Sequence, residues 1–199
     1  MATDLADPVA FGLLAYRVLT AAGLRCSLYG GLALGIYGRA RLTADADFAV
    51  AAADSGLLVA AFAAQGLPAQ ANFDGLPHGG LLLSRATVFG VGEFIGSNVV
   101  DVVAPRDSAY GELALNRSPT ARLRGSELAI LTPEDFVVFK AISDRPVDLE
   151  DAASVVARMA GDLDIGGIAL QIKRLAPQVS SVNVLDRWAT IQMRACSFR

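Results

Sequence analysis

Two aspartates at alternate positions of a strand-like segment are the feature that most constrains the fold of this chain. Asp45 and Asp47 stand in a segment whose period-two alternation of acidic and apolar residues predicts a β-strand. The two carboxylates therefore leave the same face, roughly 6.6 Å apart along the strand. The opposite face carries apolar side chains that favour a core, namely Ala46, Phe48 and Val50. Neighbouring carboxylates raise each other's pKa, and a divalent cation such as Mg²⁺, which prefers carboxylate oxygens, removes that penalty.

A third aspartate lies in a similar setting. Asp101 is flanked on each side by two valines in a predicted strand over residues 98–103. If this strand pairs beside the strand of Asp45 and Asp47, three carboxylates converge at one end of a sheet, where such a cluster can hold two metal ions. The alternative is that Asp101 is an edge-strand charge that deters aggregation.

Gly30 and Gly31 interrupt the chain between a predicted short strand and a predicted helix. Glycine lets the backbone approach a phosphate closely, and a helix N-terminus supplies N–H donors, although most Gly-Gly pairs are ordinary turns. This pair precedes Asp45 by only one short predicted helix. Between them, Arg41 and Thr43 would share the face of the aspartates if the strand extends toward the N-terminus. Arginine there would hold phosphates or fix the geometry of a carboxylate.

Composition narrows the class of protein. The 199 residues suit one domain, or one domain with a small helical appendage, and 53% hydrophobic residues support a sizeable core. No apolar run approaches the length of a membrane span, so no membrane association is expected. Cys26 and Cys196 form no disulfide framework, and the N-terminus lacks a basic signal region, so a cytoplasmic location is expected.

The formal net charge of −3 disfavours a dedicated nucleic-acid binder. Basic residues are nevertheless in excess from Lys173 to the C-terminus. These C-terminal helices could form an RNA-binding surface, and a solvated helical face is the alternative.

The order of predicted elements, with strands and helices first and helices last, predicts an α+β fold. We expect a small mixed β-sheet with flanking helices over residues 1–131, followed by a C-terminal helical bundle over 132–199. The second region starts at Thr132 as N-cap with Pro133 at the first helical position, and a second capped start is predicted at 144–146. Predicted strands after the first helices are 81–85, 88–95 and 98–103, and a hairpin is predicted over 121–131.

The run from Gly30 to Asp47, a glycine-rich turn followed by Arg-x-Thr-x-Asp-x-Asp, resembles the motif of the nucleotidyltransferase (polymerase-beta-like) superfamily. It resembles in particular the minimal enzymes of the AbiEii and MenT type, known as toxin components of toxin–antitoxin pairs. The segment from Leu131 to Lys140, followed by Arg145 to Asp151, is similar to their second motif. Together the two motifs touch roughly residues 28 to 155.

The resemblance implies a nucleotidyltransferase palm domain over residues 1–131. It also implies transfer of a nucleoside monophosphate from an NTP to a hydroxyl on an RNA 3′ end, a protein or a small molecule, with a toxin role and an antitoxin partner. Asp45 and Asp47 would bind Mg²⁺ or Mn²⁺, and Asp101 would be a third ligand or a base. The phosphate contacts would come from the glycine turn, from Arg41 and Thr43, and from Lys140. The commoner turn in the superfamily is Gly-Ser, so Gly31 removes one side-chain phosphate contact.

Alternative interpretations remain for the chain and for single residues. The chain could be a non-catalytic nucleotide- or partner-binding module on a degenerate fold, or an α/β phosphohydrolase using paired acids. Lys140 could extend to solvent from an apolar helix. We expect Asp148 and Asp151 to complement a helix N-terminus or to pair with Arg145, and we expect His78, the single histidine, to be a loop residue.

Overall fold

The computed structural model describes residues 3–198 of the chain. Its helices are α1 (Pro8–Ala21), α2 (Gly30–Tyr37), α3 (Ser55–Ala64), α4 (Ser108–Asn116), α5 (Pro133–Ile142), α6 (Val147–Arg158), α7 (Ile165–Leu175) and α8 (Val184–Ser197). Its strands are β1 (Thr3–Asp4), β2 (Cys26–Leu28), β3 (Ala46–Val50), β4 (Ala69–His78), β5 (Leu81–Phe89), β6 (Phe94–Ile95), β7 (Ser97–Pro105), β8 (Thr120–Leu123) and β9 (Ser126–Ala129). No helix in this part of the chain has the length and apolar character needed to cross a bilayer.

A five-stranded sheet in the order β2-β3-β7-β5-β4 forms the centre of the molecule. β3 and β7 run parallel, and the other neighbours in this sheet are antiparallel. Helices α1 and α3 pack on each other and against the sheet, while α5 to α8 pack together after the last strand. The predicted α+β fold, with a mixed sheet, flanking helices and a C-terminal helical bundle, is confirmed.

One cluster of buried hydrophobic side chains extends from Leu5 to Ala195, through both predicted regions. The backbone of β2 also bridges to Ile130, and Leu131 donates a hydrogen bond to the Leu28 carbonyl. The rings of Phe136 and Phe139 on α5 contact the ring of Tyr29. The division at residues 131 and 132 therefore stays a prediction, and the two regions share a core.

The structure differs from the predicted strands on both sides of residue 81. The predicted strands 81–85 and 88–95 are replaced by one continuous strand over 81–89 and the separate two-residue strand β6, and β4 precedes β5 where no strand was predicted. The sequence of β4 contains Gly75 and Pro77, which are depleted from central strands. β4 is an edge strand whose register shifts between Ala71 and Phe73 and again before Leu76, and an edge with bulges tolerates such residues. Its last residue is His78, so the expectation of a loop position was wrong.

Of the two predicted capped helix starts, the one at α5 is correct and the one at α6 is wrong. Thr132 is the N-cap of α5, and its hydroxyl oxygen accepts a hydrogen bond from the Asp135 N–H. At α6 the residue in the N-cap position is Pro146, and no side chain caps the helix. Asp144 instead accepts a hydrogen bond from the Gly79 N–H at 3.0 Å. Its carboxylate therefore joins the end of β4 to the start of α6.

Asp135 provides a test of how the buried polar groups hold α5 in place. Its side chain is fully buried and accepts hydrogen bonds from the Tyr110 hydroxyl, the Arg117 guanidinium and the Thr132 hydroxyl. We expect Asp135→Ala to lower the free energy of unfolding by about 3 kcal/mol, because two donors and a cation lose their partner. Chemical denaturation would measure the loss. The exposed Asp162→Ala is the matched control, and equal stability of the two variants would contradict this account.

Candidate active site

The parallel pairing of β3 with β7 brings the three predicted aspartates together. Asp47 and Asp101 are register partners on these neighbouring strands, and Asp45 directly precedes β3. One carboxylate oxygen from each of the three lies within 4.8 Å of the others. Asp45 and Asp47 are partly exposed, whereas the Asp101 side chain is only 3% exposed. The structure thus joins the residues that were predicted as metal ligands, and their roles stay predictions.

The charge state of Asp47 reflects this crowding. Burial, followed by the negative charges of Asp45 and Asp101, raises the pKa of Asp47 to about 7, although Lys140 and the Gly31 N–H favour its ionised form. Near neutral pH the carboxylates are therefore held together at an electrostatic cost. An all-oxygen, anionic donor set of this size suits a hard divalent cation such as Mg²⁺ or Mn²⁺.

The glycine turn fits tightly against the aspartates. Gly30 has φ +62°, and a Cβ at this position would lie 1.9 Å from the Asp47 Oδ2 atom. A Cβ on Gly31 would lie 2.6 Å from the Cβ and Oγ1 atoms of Thr43. The Thr43 hydroxyl donates a hydrogen bond to the Asp45 Oδ1 atom at 2.9 Å. Thr43 therefore fills the space that a side chain at position 31 would need.

The side chain of Arg41 binds a residue of α6. Its Nε and Nη2 atoms donate to the two carboxylate oxygens of Asp151, at 3.2 and 3.3 Å. The segment between α2 and β3 is irregular, so Arg41 and Thr43 do not lie on an extension of the strand as the sequence suggested. Arg41 still lines the pocket described below.

Lys140 is buried, so the interpretation that it extends to solvent was wrong. Its ammonium group donates to Asp148 Oδ1 at 2.6 Å and to Asp151 Oδ2 at 3.1 Å, and it lies 4.9 Å from the centroid of the Tyr29 ring. Burial acts to raise the pKa of Asp148, but the charge and hydrogen bond of Lys140, together with Ser143 and the positive charge of Arg145, lower the pKa below its ordinary value. Asp148 and Asp151 are thus partners of buried or half-buried cations, which corrects the prediction that they pair with Arg145. Asp148 does lie in the first turn of α6, where an acid complements the helix N-terminus as predicted.

A pocket opens beside the acidic cluster, between the sheet and the helices α5 and α6. Its walls carry acidic groups, cationic groups and an apolar patch from β5 and β7, contributed mainly by Asp45, Asp47, Arg41, Lys140, Arg145, His78, Leu81, Leu83 and Val103. Gly30 lies at its edge. The pocket therefore adjoins two of the three aspartates and combines positive charge with apolar surface.

Arg85 and His78 were not assigned to the site by the sequence analysis. Arg85 on β5 is the register partner of Asp101 and binds its carboxylate with two donors, Nε at 2.7 Å and Nη2 at 2.6 Å. His78 lines the pocket, with its Nδ1 atom 3.3 Å from Asp144 Oδ1. The available signal for Arg85 was a single charge at alternate spacing from Leu81 and Leu83 in an otherwise uncharged strand.

The predicted basic surface of the C-terminal helices is largely occupied by contacts within the chain. Arg174 lies 3.5 Å from Asp107, and Arg194 pairs with Glu150. Arg187 donates hydrogen bonds to backbone carbonyls that include Ala141. Surface ion pairs of this kind leave less free positive charge for phosphates, so RNA binding at these helices stays a prediction with weaker support.

Comparison with known proteins gives similarity of structure without similarity of sequence. No protein-family profile matches the chain, and no curated protein matches it. The structure is similar to that of an antigenic nucleotidyltransferase-like protein from Paracoccidioides brasiliensis, with 12% identity, 90% of each chain covered and a TM-score of 0.49. It is also similar to ANT(2")-Ia in complex with adenylyl-2"-tobramycin, with 12% identity, 85% of this chain and 97% of that chain covered, and a TM-score of 0.47. These structural neighbours are nucleotidyltransferase-like proteins, and at TM-scores below 0.5 the likeness carries no information about the reaction of this chain.

The fit of Gly31 against Thr43 predicts opposite effects for two substitutions in the same helix. We expect Gly31→Ala to destabilise the protein by about 2 kcal/mol, because the rigid Thr43 Cβ cannot move out of the way. Gly35→Ala meets no atom within 4 Å and should stabilise α2 by about 0.5–1 kcal/mol. Thermal or urea unfolding of both variants measures the contrast, and an equally tolerated Gly31→Ala would refute the close packing of the turn.

The raised pKa of Asp47 predicts that the metal-free protein loses stability as the pH rises. Between the ordinary value of 3.8 and about 7 the unfolded chain has released a proton that the folded chain retains, so raising the pH favours unfolding. Asp47→Asn removes this contribution and should raise the melting temperature in EDTA at pH 8 more than at pH 5. Asp162→Asn is the control with the same charge change. If the difference in melting temperature between wild type and Asp47→Asn were the same at all pH values, the pKa of Asp47 would not be raised.

Proposed function

We propose that this chain is a metal-dependent nucleotidyltransferase that moves a nucleoside monophosphate from an NTP to a hydroxyl acceptor. The observation that carries the proposal is the approach of three carboxylates within 4.8 Å, next to a tight glycine turn and a pocket with cationic walls. The Arg-x-Thr-x-Asp-x-Asp resemblance supplies the reaction class. A likeness of fold alone would not supply it, because one fold hosts many reactions.

Asp45, Asp47 and Asp101 would hold Mg²⁺ or Mn²⁺ at this site. When bound, the cation would neutralise the negative charge on the reacting phosphate and on the leaving pyrophosphate. The raised pKa of Asp47 supports this assignment, because a nearby divalent cation would offset the repulsion among the acids.

The triphosphate would bind between the glycine turn and the cations of the pocket. Gly30 and Gly31 present backbone rather than side chains at the start of α2. Within residues 3–198 no ion pair engages the Arg145 side chain, which makes it the strongest candidate for a phosphate contact. Lys140 is a second contact, since Asp148 and Asp151 occupy two of its three N–H donors. Arg41 would position the loop that carries Thr43.

In the proposed reaction the acceptor oxygen attacks the α-phosphorus, and the bond between this phosphorus and the oxygen that bridges to the β-phosphate breaks. Pyrophosphate leaves, and Asp101 takes the proton of the acceptor hydroxyl. Burial raises the pKa of Asp101 even though Arg85 lowers it, which favours proton uptake. The hydroxyl must then enter beside the Arg85 guanidinium, which covers Asp101.

The acceptor we propose is an RNA 3′ end, a protein or a small hydroxylated compound. A role as a cytoplasmic toxin with an antitoxin partner rests on the motif resemblance, and a small antitoxin-like gene beside the gene of this protein would support it.

The proposed activity is tested by incubating the protein with each α-labelled NTP, Mg²⁺ and mixtures of RNA, protein and aminoglycosides. We expect label transfer by the wild type and a loss of about 10³-fold in Asp47→Asn, because the carboxylate would hold the cation that neutralises charge on the reacting phosphate. The exposed Asp162→Asn should retain wild-type activity. Full transfer by Asp47→Asn would refute the metal assignment.

A second measurement separates an enzyme from a binding module. Mg²⁺–NTP at 100 times its Kd should stabilise the fold by about 2.7 kcal/mol. Stabilisation without transfer to any acceptor class would favour the non-catalytic module. The absence of both stabilisation and transfer would refute the proposed function.

A further inference from the structure

Arg85 occupies an unusual place beside the acidic cluster. Its guanidinium makes a two-donor contact with Asp101, and its Nη2 atom also lies 3.7 Å from Asp45 Oδ2. The positive charge therefore lies between two of the three carboxylates that are proposed as metal ligands. The guanidinium also lies over the ring of Phe73 on β4, with its carbon 5.5 Å from the ring centroid.

The contact with Arg85 leaves lone pairs of the Asp101 carboxylate available to a cation but reduces the negative charge of the site. A carboxylate offers about four lone-pair positions, and Arg85 uses two of them. The three aspartates carry up to three negative charges when all are ionised, and Arg85 cancels one of them at close range. A positive charge in contact with these carboxylates repels a divalent cation bound to them, even in water, where the interaction is weakest.

We propose that Arg85 is an internal counter-ion of the metal site, which holds the three acids together in the absence of metal and lowers their affinity for divalent cations. This inference rests on the proposed function, because it concerns the same aspartates. Arg85 touches Asp101 and Asp45, and it is absent from the residues that line the nucleotide pocket. It acts on the cation through these carboxylates, which makes it a positioning residue.

Two substitutions at position 85 separate the effect of its charge from the effect of its shape. A neutral residue there leaves the full negative charge of the three acids uncompensated, so cation affinity should rise. A lysine keeps the charge but cannot reproduce the two-donor contact. If the purpose of Arg85 were only to orient Asp101 for metal binding, both substitutions would weaken cation binding.

The test is titration of the nucleotide-free protein with Mn²⁺. Binding is measured by calorimetry and by the electron paramagnetic resonance signal of free Mn²⁺. The titration is made at about pH 8, above the pKa of Asp47. We expect Arg85→Gln to bind Mn²⁺ about tenfold more tightly than the wild type, and Arg85→Lys to remain within about twofold. Arg122→Gln removes the same charge from the exposed β8–β9 hairpin and should leave the affinity unchanged.

Each other outcome overturns the proposal. Unchanged or weaker Mn²⁺ binding by Arg85→Gln would refute the counter-ion role, and weaker binding by both Arg85→Gln and Arg85→Lys would assign Arg85 to the orientation of Asp101. If Arg85→Gln does not fold, Arg85→Met keeps an apolar stem at this position and serves as the neutral variant. Failure of both to fold would make Arg85 a structural residue. Mn²⁺ binding by none of the proteins, wild type included, would refute the proposed function itself, which distinguishes the two failures.

Discussion

Repulsion among like charges at the junction of two parallel strands is the constraint on which the rest of the site depends. The pairing of β3 with β7 places Asp47 beside Asp101, and the turn into β3 adds Asp45. A protein of marginal stability tolerates such a cluster only if other groups offset its cost. Burial leaves Asp47 with a pKa near neutrality, and the remaining compensation comes from neighbouring cations.

These compensating cations are arranged on two sides of the acids. Arg85 binds Asp101 from the neighbouring strand β5. On the other side, Lys140 and Arg41 share the carboxylate of Asp151, so a loop of the sheet region and two C-terminal helices meet at one ionic cluster. The C-terminal helices therefore contribute to the electrostatics of the site as well as to the core. This arrangement explains why Lys140, Asp148 and Asp151 are buried within the molecule rather than displayed to solvent.

The sequence predicted the parts of the structure that depend on local pattern. The alternation around Asp45 and Asp47, the valines around Asp101 and the Thr132 cap each indicate an element without reference to distant residues. Partnerships across the chain were not visible in the same way. Arg85 is 16 residues from Asp101, and the two meet only because β5 and β7 pair in one register. The edge strand β4 carries Gly75 and Pro77, so its residues contradict local propensity, and pairing with β5 decides its conformation.

The packing of Thr43 against the glycine turn has an evolutionary consequence. Position 31 can accept a side chain such as that of serine only if position 43 loses its own Cβ, because the two Cβ positions would otherwise overlap. The two positions should therefore change together during divergence. A lineage that acquires a serine at the turn is expected to carry glycine at position 43 and to give up the hydroxyl that binds Asp45.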